Sequence, residues 1–395
     1  MLSFGRRTSV FNSAATIERT IRRVLEQTCQ DFELILLNHA STDGSRDIAR
    51  SYEDPRIKHI DLAENMGAGG GLLIREMVRA TSGKYLKLFC ADDELLPDGL
   101  QTLVDYLEQN PEKGFAFGNV RYVDGQGKFT GGTFFEGRAG FVGTNDESDC
   151  LRKFYHGVSF LPYIGNIIRR DLFDEVMCDS TLIMLADVNL WMSLILAGVK
   201  IGFVDLCVAN YRVHDGQMSA VAASKRVMVR SHYEVFALRQ QMIRRFGARW
   251  VRQVVPDSPY ADKVESDVDA AFVLAEDLLR REGDEAAYLE LNAMLQDNEM
   301  RQRLHDVFGF TIAEFRRLYS SAYVKDDSLK GCVHRIWQIL SAALSNLPAW
   351  ARSKIARLTR RTMEHAPEKD VNHWWYGLLW EVDARLAAAA SRGGR

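Results

Sequence analysis

The sequence lacks the cysteine pattern of a disulfide framework or a zinc ribbon. Its six cysteines lie far apart along 395 residues, and no two of them form a Cys-x-x-Cys pair. Disulfide-stabilised small domains and zinc ribbons both need closely spaced cysteines. We therefore expect reduced thiols and a cytoplasmic protein.

Long apolar runs and a strong net charge are also missing. No stretch reaches the roughly 18 apolar residues that a membrane-spanning helix needs, and residues 1–12 contain no apolar core of a secretory signal. The net charge of −3 lacks the basic excess that is typical of nucleic-acid-binding proteins. With 47% hydrophobic and 26% charged residues, the composition excludes a disordered or collagen-like chain.

Short apolar runs alternate with helical patterns over the first half of the chain. Apolar residues at helical spacing predict a helix over residues 17–25. Strands are predicted from apolar runs at residues 32–37, 57–60, 85–89 and 115–117. This alternation indicates βαβ units and a mainly parallel sheet, in which ligands bind beyond the carboxyl ends of the strands. From about residue 224 helical patterns dominate, so we predict a first domain over 1–222 and a helical domain over 223–395.

Three adjacent carboxylates, Asp92, Asp93 and Glu94, follow the predicted strand 85–89. Such charges repel one another unless a cation joins them, and Mg²⁺ typically binds one or two carboxylates together with substrate phosphates. The alternative is an acidic cluster that is stabilised by the dipole of the following helix. The residues alone leave both interpretations open.

Two further polar residues stand out. Asp187 lies in an apolar run, where the pKa of a carboxylate tends to rise and suits a general base. Its alternative role is to cap the helix that begins at Val188. His214 lies in a loop and could bind a metal as a neutral imidazole, although an isolated histidine more commonly does not.

In order and rough spacing, eight segments together resemble the inverting glycosyltransferases of family 2, which have the GT-A fold. The segments are residues 9–12, 38–45, 65–67, 83–85, 91–93, 166–173, 187–191 and 211–214. The resemblance covers about residues 9–220. It implies an α/β fold with a Rossmann-like, mostly parallel sheet flanked by helices, followed by the helical C-terminal domain.

The resemblance also implies roles for individual positions. The implied nucleotide-binding residues are Phe11, Asn12, Asn38, Asn65, Gly67 and Asp92. The implied ligands of Mg²⁺ or Mn²⁺ are Asp92, Asp93 and His214. Asp187 is the implied catalytic base.

The reaction implied by the resemblance is an inverting single displacement. A metal-dependent hexosyltransferase would move a sugar from a nucleotide-diphosphate donor, expected to be a UDP-sugar, to a hydroxyl of a glycan or lipid-linked acceptor in polysaccharide biosynthesis. Asp187 would accept the proton of that hydroxyl, and the cation would neutralise charge on the departing diphosphate.

Several positions depart from the family pattern. Asn38, His39 and Ala40 stand where Asp-Asp-Gly is commonest, Cys90 replaces the first aspartate of the DxD motif, and Ala186 replaces a glutamate. Residues 5–8 interrupt the usual apolar first strand. One alternative is therefore a weak or inactive homologue that binds a sugar nucleotide. The other is a scaffold whose helical domain recruits partners at a membrane.

The segment 328–363 contains seven lysines and arginines and no acidic residue. Its tryptophans and leucines recur at roughly helical spacing, as in helices that lie on anionic membrane surfaces. The slightly favoured alternative is a packed helix with a solvated basic face. A cytoplasmic protein with peripheral contact to the membrane is thus one prediction, and no nucleic acid partner is expected.

Overall fold

The computed structural model of the chain describes residues 4–65, 71–136, 146–157, 161–176, 181–213 and 225–324. The predictions for Gly67, His214 and the basic segment 328–363 lie outside these residues. In the part of the chain that is described, no helix is both long and apolar enough to cross a membrane.

The described strands belong to one sheet of nine strands. They are β1 (Phe4–Val10), β2 (Glu33–His39), β3 (Ile57–Leu62), β4 (Tyr85–Cys90), β5 (Glu94–Leu95), β6 (Lys113–Val123), β7 (Phe129–Thr133), β8 (Asn166–Arg169) and β9 (Lys200–Arg212).

The described α-helices fall into a group that alternates with the strands and a group that follows β9. The first group is α1 (Ile17–Leu25), α2 (Ser45–Arg50), α3 (Gly71–Arg79), α4 (Gly99–Gln109), α5 (Glu147–Gly157), α6 (Leu172–Glu175) and α7 (Ala186–Leu196). The second group is α8 (Lys225–Arg245), α9 (Gly247–Val254), α10 (Asp267–Glu282), α11 (Glu285–Gln296), α12 (Asn298–Phe308) and α13 (Ile312–Val324).

The sheet is mixed, and most of its strands point in one direction, as predicted. Its strand order is β3-β2-β1-β4-β8-β6-β9-β5, with β7 paired to β6. The strands β1 to β4, β6 and β9 share one direction, while β8 runs antiparallel between β4 and β6. The carboxyl ends of β1, β2, β3 and β4 therefore meet at one edge of the sheet. The predicted α/β class with a mostly parallel sheet, flanking helices and a helical C-terminal region is confirmed.

The first strand forms in full despite its polar sequence. Residues 5–8 pair in parallel with β2, from Gly5 opposite Glu33 to Thr8 opposite Leu36, and with β4 on the other side. Backbone groups supply these hydrogen bonds, so two arginines do not break a strand that has a partner on each side. The polar residues 5–8 thus break the apolar run of the sequence but do not interrupt the strand.

Both faces of the sheet are covered by apolar helix surfaces. Ile17, Ile21 and Val24 of α1 pack with residues of α4 in one core cluster, which confirms the helical spacing predicted for residues 17–25. On the other face Trp191 of α7 stacks on Phe115 of β6 with ring centroids 6.0 Å apart. These two layers hold the loops at the carboxyl edge of the sheet.

The change from strands to helices falls near the predicted residue 222. The strand β9 ends at Arg212, and the described elements from Lys225 onward are helical. Packing does not stop there, because the chain as far as Lys325 forms one compact unit. Buried residues of α8 and α10 belong to the same core cluster as residues of β4. The division of function between 1–222 and 223–395 stays a prediction.

Candidate active site

An acidic turn follows β4 at the carboxyl edge of the sheet. One donor atom each from Cys90, Asp92 and Asp93 lies within 4.8 Å of the others. Asp93 is buried, whereas Cys90 and Asp92 are half-buried. Two carboxylates and a sulfur at this spacing fit a divalent cation. The structure thus brings donor atoms of Asp92 and Asp93 together, and their role as metal ligands stays a prediction.

Arg212, at the end of β9, holds this acidic turn in place. Its backbone N–H donates to Asp93 Oδ1 at 3.0 Å, and its Nε donates to the carbonyl oxygen of Asp92 at 2.8 Å. A terminal nitrogen donates to the carbonyl oxygen of Gly125 at 2.8 Å, and another forms a buried ion pair with Glu94. Arg212 therefore contacts three consecutive residues, Asp92, Asp93 and Glu94.

The electrostatics of the turn favour a cation. Burial raises the pKa of Asp93 well above its usual range, and the charge of Asp92 raises it further, against the opposing effect of Arg212. Burial likewise raises the pKa of the Cys90 thiol, followed by the charges of Asp92, Asp93 and Asp187. A bound divalent cation would reverse both shifts, because it stabilises the deprotonated form of its ligands.

Asp187 lies in the first turn of α7. Burial raises its pKa to about 6, Glu234 adds to the rise, and a hydrogen bond from the N–H of Val188 at 2.8 Å opposes it. The charge of Asp187 also contributes to the raised pKa of the Cys90 thiol. A common site for Asp187 and the acidic turn stays a prediction.

The alternative role of Asp187 as a helix cap is not what the structure shows. Leu185 occupies the N-cap position of α7 and makes no side-chain capping bond. Asp187 lies two residues further on, inside the helix. The carboxylate that approaches the residues before the helix is that of Glu234, which accepts from the N–H groups of Met184 at 2.7 Å and Leu185 at 2.9 Å.

A second group of polar residues lies beyond β1, β2 and β3. The rings of Phe11 and His39 lie 5.1 Å apart, and His39 Nδ1 is 2.9 Å from the side-chain oxygen of Asn65. Burial lowers the pKa of His39, so the ring is neutral at physiological pH. The predicted nucleotide-binding residues Phe11 and Asn65 are thus linked through His39.

Asn38 is hydrogen-bonded at both ends of its amide. Its Nδ2 donates to Asp61 Oδ1 at 3.0 Å, and its Oδ1 accepts from the N–H of Ser41 at 3.2 Å. Asp61 in turn pairs with Arg46 and Arg50. An aspartate at position 38 would repel Asp61, so the asparagine is suited to this neighbour.

Asn12 joins the loops that follow β1 and β2. Its Oδ1 accepts from the N–H of Thr42 at 2.9 Å, and its own N–H donates to Ser41 Oγ at 3.2 Å. Both Asn12 and Ala40 have positive φ angles, +48° and +60°. The two loops therefore form one connected wall at the edge of the sheet.

Three functional contacts were not predicted from the sequence. Thr20 Oγ1 donates to the carbonyl oxygens of Ala91 and Asp93, at 2.8 and 3.1 Å. Arg212 was noted only as part of the segment 211–214, and Glu234 lies in a helix without a recognised motif. An arginine at the end of a long strand was the one available signal.

Comparison with known proteins points to one family. Residues 8–177 match the model of glycosyl transferase family 2. This region contains the end of β1, the strands β2 to β8 and the acidic turn, but it ends before Asp187.

Individual relatives agree with this match. TuaG of Bacillus subtilis, named as a glycosyltransferase of teichuronic acid biosynthesis, is 26% identical over 226 residues, which cover 54% of this chain and 80% of TuaG. A glycosyltransferase of Methanocaldococcus jannaschii, MJ1057, is 22% identical over 53% of this chain and 70% of its own. Among solved structures, S. aureus TarS 1–349 in complex with UDP-GlcNAc has a TM-score of 0.47 and 14% identity, covering 81% of this chain and 91% of that one.

Proposed function

Residues 8–177 of this chain belong to glycosyl transferase family 2, and from this we propose that the protein transfers a sugar from a nucleotide-diphosphate donor to a hydroxyl group with inversion. The observation that carries the proposal is the acidic turn at the carboxyl edge of the sheet, where one donor atom each from Cys90, Asp92 and Asp93 lies within 4.8 Å of the others, and the charge of Asp187 acts on the same Cys90. A base and a diphosphate-binding turn in one site are what a single displacement requires.

In this mechanism Asp187 accepts the proton of the acceptor hydroxyl as the oxygen attacks the anomeric carbon. A carboxylate with a pKa of about 6 is largely deprotonated at neutral pH and still more basic than an ordinary aspartate. The bond to the diphosphate breaks on the opposite side of the sugar, so one displacement inverts the anomeric carbon. Arg212 keeps the acidic turn in position throughout.

A divalent cation completes the proposed site. Asp92 and Asp93 would hold Mg²⁺ or Mn²⁺, with Cys90 within reach and His214 as a further proposed ligand. When bound, the ion neutralises the negative charge that develops on the leaving diphosphate. Its identity is part of the proposal.

The nucleotide is proposed to lie against the wall built by the loops after β1, β2 and β3. Phe11 offers an apolar ring, and Asn12, Asn38 and Asn65 offer amide groups. A UDP-sugar remains the expected donor, with Gly67 as a further proposed contact. A glycan or lipid-linked acceptor is part of the proposal, and the name of TuaG, which refers to teichuronic acid biosynthesis, supports a role in polysaccharide synthesis. A location in the cytoplasm with peripheral membrane contact is proposed with it.

The second candidate function is binding of a sugar nucleotide without turnover. It is favoured by the state of Asn38, whose amide is engaged by Asp61 and Ser41, and by Cys90 in the place of a carboxylate. Scaffolding through the helical region would be a third role. Neither of these two functions requires the raised pKa of Asp187.

Calorimetric titration of UDP and other nucleoside diphosphates, with and without Mn²⁺ or Mg²⁺, tests the proposal. We expect one nucleotide to bind in a metal-dependent manner. Asp92→Ala should abolish the effect of the metal, and unchanged binding in that variant would exclude Asp92 as a ligand.

Asp187→Asn separates transfer from binding. The variant should bind the nucleotide nearly as well as the wild type and lose at least about a thousandfold in transfer, because it cannot accept a proton. Wild-type turnover in Asp187→Asn would remove Asp187 as the base. Nucleotide binding by the wild type without turnover of any donor would instead support the non-catalytic function.

A further inference from the structure

The helix that carries Asp187 begins without a cap of its own. Residues 182–186 read Leu-Ile-Met-Leu-Ala and contain no side chain that can accept a hydrogen bond from the backbone. The first N–H groups of a helix have no partner within it and are usually satisfied by Ser, Thr, Asp or Asn at the N-cap. Asp187 Oδ1 accepts from the N–H of Val188 within the first turn, so it is the N–H groups just before the helix that need an acceptor from another part of the chain.

Glu234 of α8 supplies this missing contact. One of its carboxylate oxygens accepts from both Met184 N–H and Leu185 N–H, at 2.7 and 2.9 Å. The side chain is buried, with 6% of the residue exposed. Burying a carboxylate is costly unless hydrogen bonds satisfy it, and these two backbone N–H groups supply them.

The charge of Glu234 acts on Asp187. Burial raises the pKa of Asp187 most, and the charge of Glu234, in the helix α8, raises it further. From β4, the Cys90 thiol is the other titratable group close to Asp187. Glu234 is thus placed both to orient the turn that holds Asp187 and to increase the basicity of its carboxylate.

On the basis of the proposed function, we propose that Glu234 is a positioning residue for the base, holding the first turn of α7 and placing a negative charge beside Asp187. The helical region then contributes to catalysis although it supplies no group to the reaction itself. Arg212 thus contacts the acidic turn, and Glu234 contacts the backbone just before α7.

Substitutions at Glu234 test this inference in the full chain. Glu234→Ala removes the contact with the backbone and the charge, and we expect kcat to fall roughly tenfold or more, with the donor KM within about twofold of the wild type. Glu234→Gln keeps an oxygen that accepts from the backbone and should recover part of kcat. Because it lacks the charge, the acidic limb of its kcat/KM profile should lie at lower pH.

Arg245→Gln is the matched control. Arg245 also joins α8 to α7, donating to Asn189 Oδ1 at 3.3 Å and Ser193 Oγ at 3.0 Å, but on later turns of the helix. We expect this variant to keep the wild-type pH profile even if its melting temperature falls. Thermal melts of Glu234→Ala, Glu234→Gln and Arg245→Gln check that all three variants are folded.

The outcomes distinguish this inference from the function on which it rests. If Asp187→Asn keeps its turnover, the base assignment and the role of Glu234 both fail. If Asp187→Asn is inactive while Glu234→Gln retains the wild-type rate and pH profile, only the role of Glu234 fails. Equal shifts of the profile in Glu234→Gln and Arg245→Gln would also contradict it, since a general loosening of the interface would explain them.

Discussion

At the scale of single residues, the candidate site contains residues with unusual backbone angles and one with a shifted pKa. Asn12 and Ala40 have positive φ angles in the loops after β1 and β2. Asparagine tolerates this region, but alanine has a β-carbon that crowds the carbonyl oxygen. Asp187 departs in a different way, since its pKa is raised to about 6.

Ala40→Gly should stabilise the protein. Glycine adopts a φ of +60° without the steric cost that alanine has, and its greater freedom in the unfolded chain offsets part of the gain. We expect the free energy of unfolding to rise by about 0.5–1 kcal/mol. Urea titration measures it, and a decrease in stability would show that the Ala40 methyl group makes a contact worth more than the strain.

The pH dependence of transfer should follow the protonation of Asp187. Its pKa is raised to about 6, so the base is deprotonated above this pH and protonated below it. We expect kcat/KM to be level above pH 6 and to fall about tenfold per pH unit below it. Nucleotide binding by Asp187→Asn over the same range is the control, and a level kcat/KM down to pH 4.5 would contradict the prediction.

At the scale of elements, the site depends on contacts between strand ends. The turn after β4 is held by Arg212 from the end of β9, and Glu94 in that turn also pairs with Arg19 of α1 at 2.7 Å. A buried carboxylate that loses one partner is destabilised more than an exposed one. Loss of the contact between Arg212 and the acidic turn should therefore lower the stability of the protein more than loss of an exposed ion pair.

Arg212→Met tests this contact. It removes the guanidinium from the buried Glu94 and three backbone carbonyl oxygens, and we expect a loss of about 3 kcal/mol in the free energy of unfolding. Metal-dependent nucleotide binding should weaken as well, since the Asp92 backbone is released. Arg22→Ala removes an exposed ion pair with Glu18 and should lower the free energy of unfolding far less, because solvent screens an exposed pair. Equal losses in the two variants would contradict the role of Arg212.

At the scale of the whole molecule, the sheet and the later helices share a core. Leu238 and Met242 of α8 are fully buried in the cluster that contains Leu86 and Leu88 of β4. Removing the helices would expose apolar side chains of this cluster to water. A boundary at residue 222 is therefore a change of secondary structure within a packed unit.

A chain ended at residue 222 should not fold cooperatively. Each large apolar side chain that loses its burial costs about 1.5–3 kcal/mol, and α8 and α10 cover many of them. Near-UV circular dichroism and a thermal melt measure the outcome, with the full chain as reference. A cooperative melt of residues 1–222 at the wild-type temperature would show that the first domain is independent.

The sequence by itself determined the alternation of strands and helices, the mainly parallel sheet and the acidic turn at its carboxyl edge. These features follow from the local spacing of apolar residues and from short motifs such as Asp92-Asp93. The prediction for the first strand was less complete, because a polar run said nothing about the two strands that would pair with it.

The tertiary structure alone decided how the site is held together. Arg212 reaches Asp93 across 119 positions, and Glu234 reaches the start of α7 across about 50. Contacts over such distances depend on the path of the whole chain, which no local pattern records. The same holds for the pKa of Asp187, since burial and a charge from α8 set it and both arise only when the helices pack.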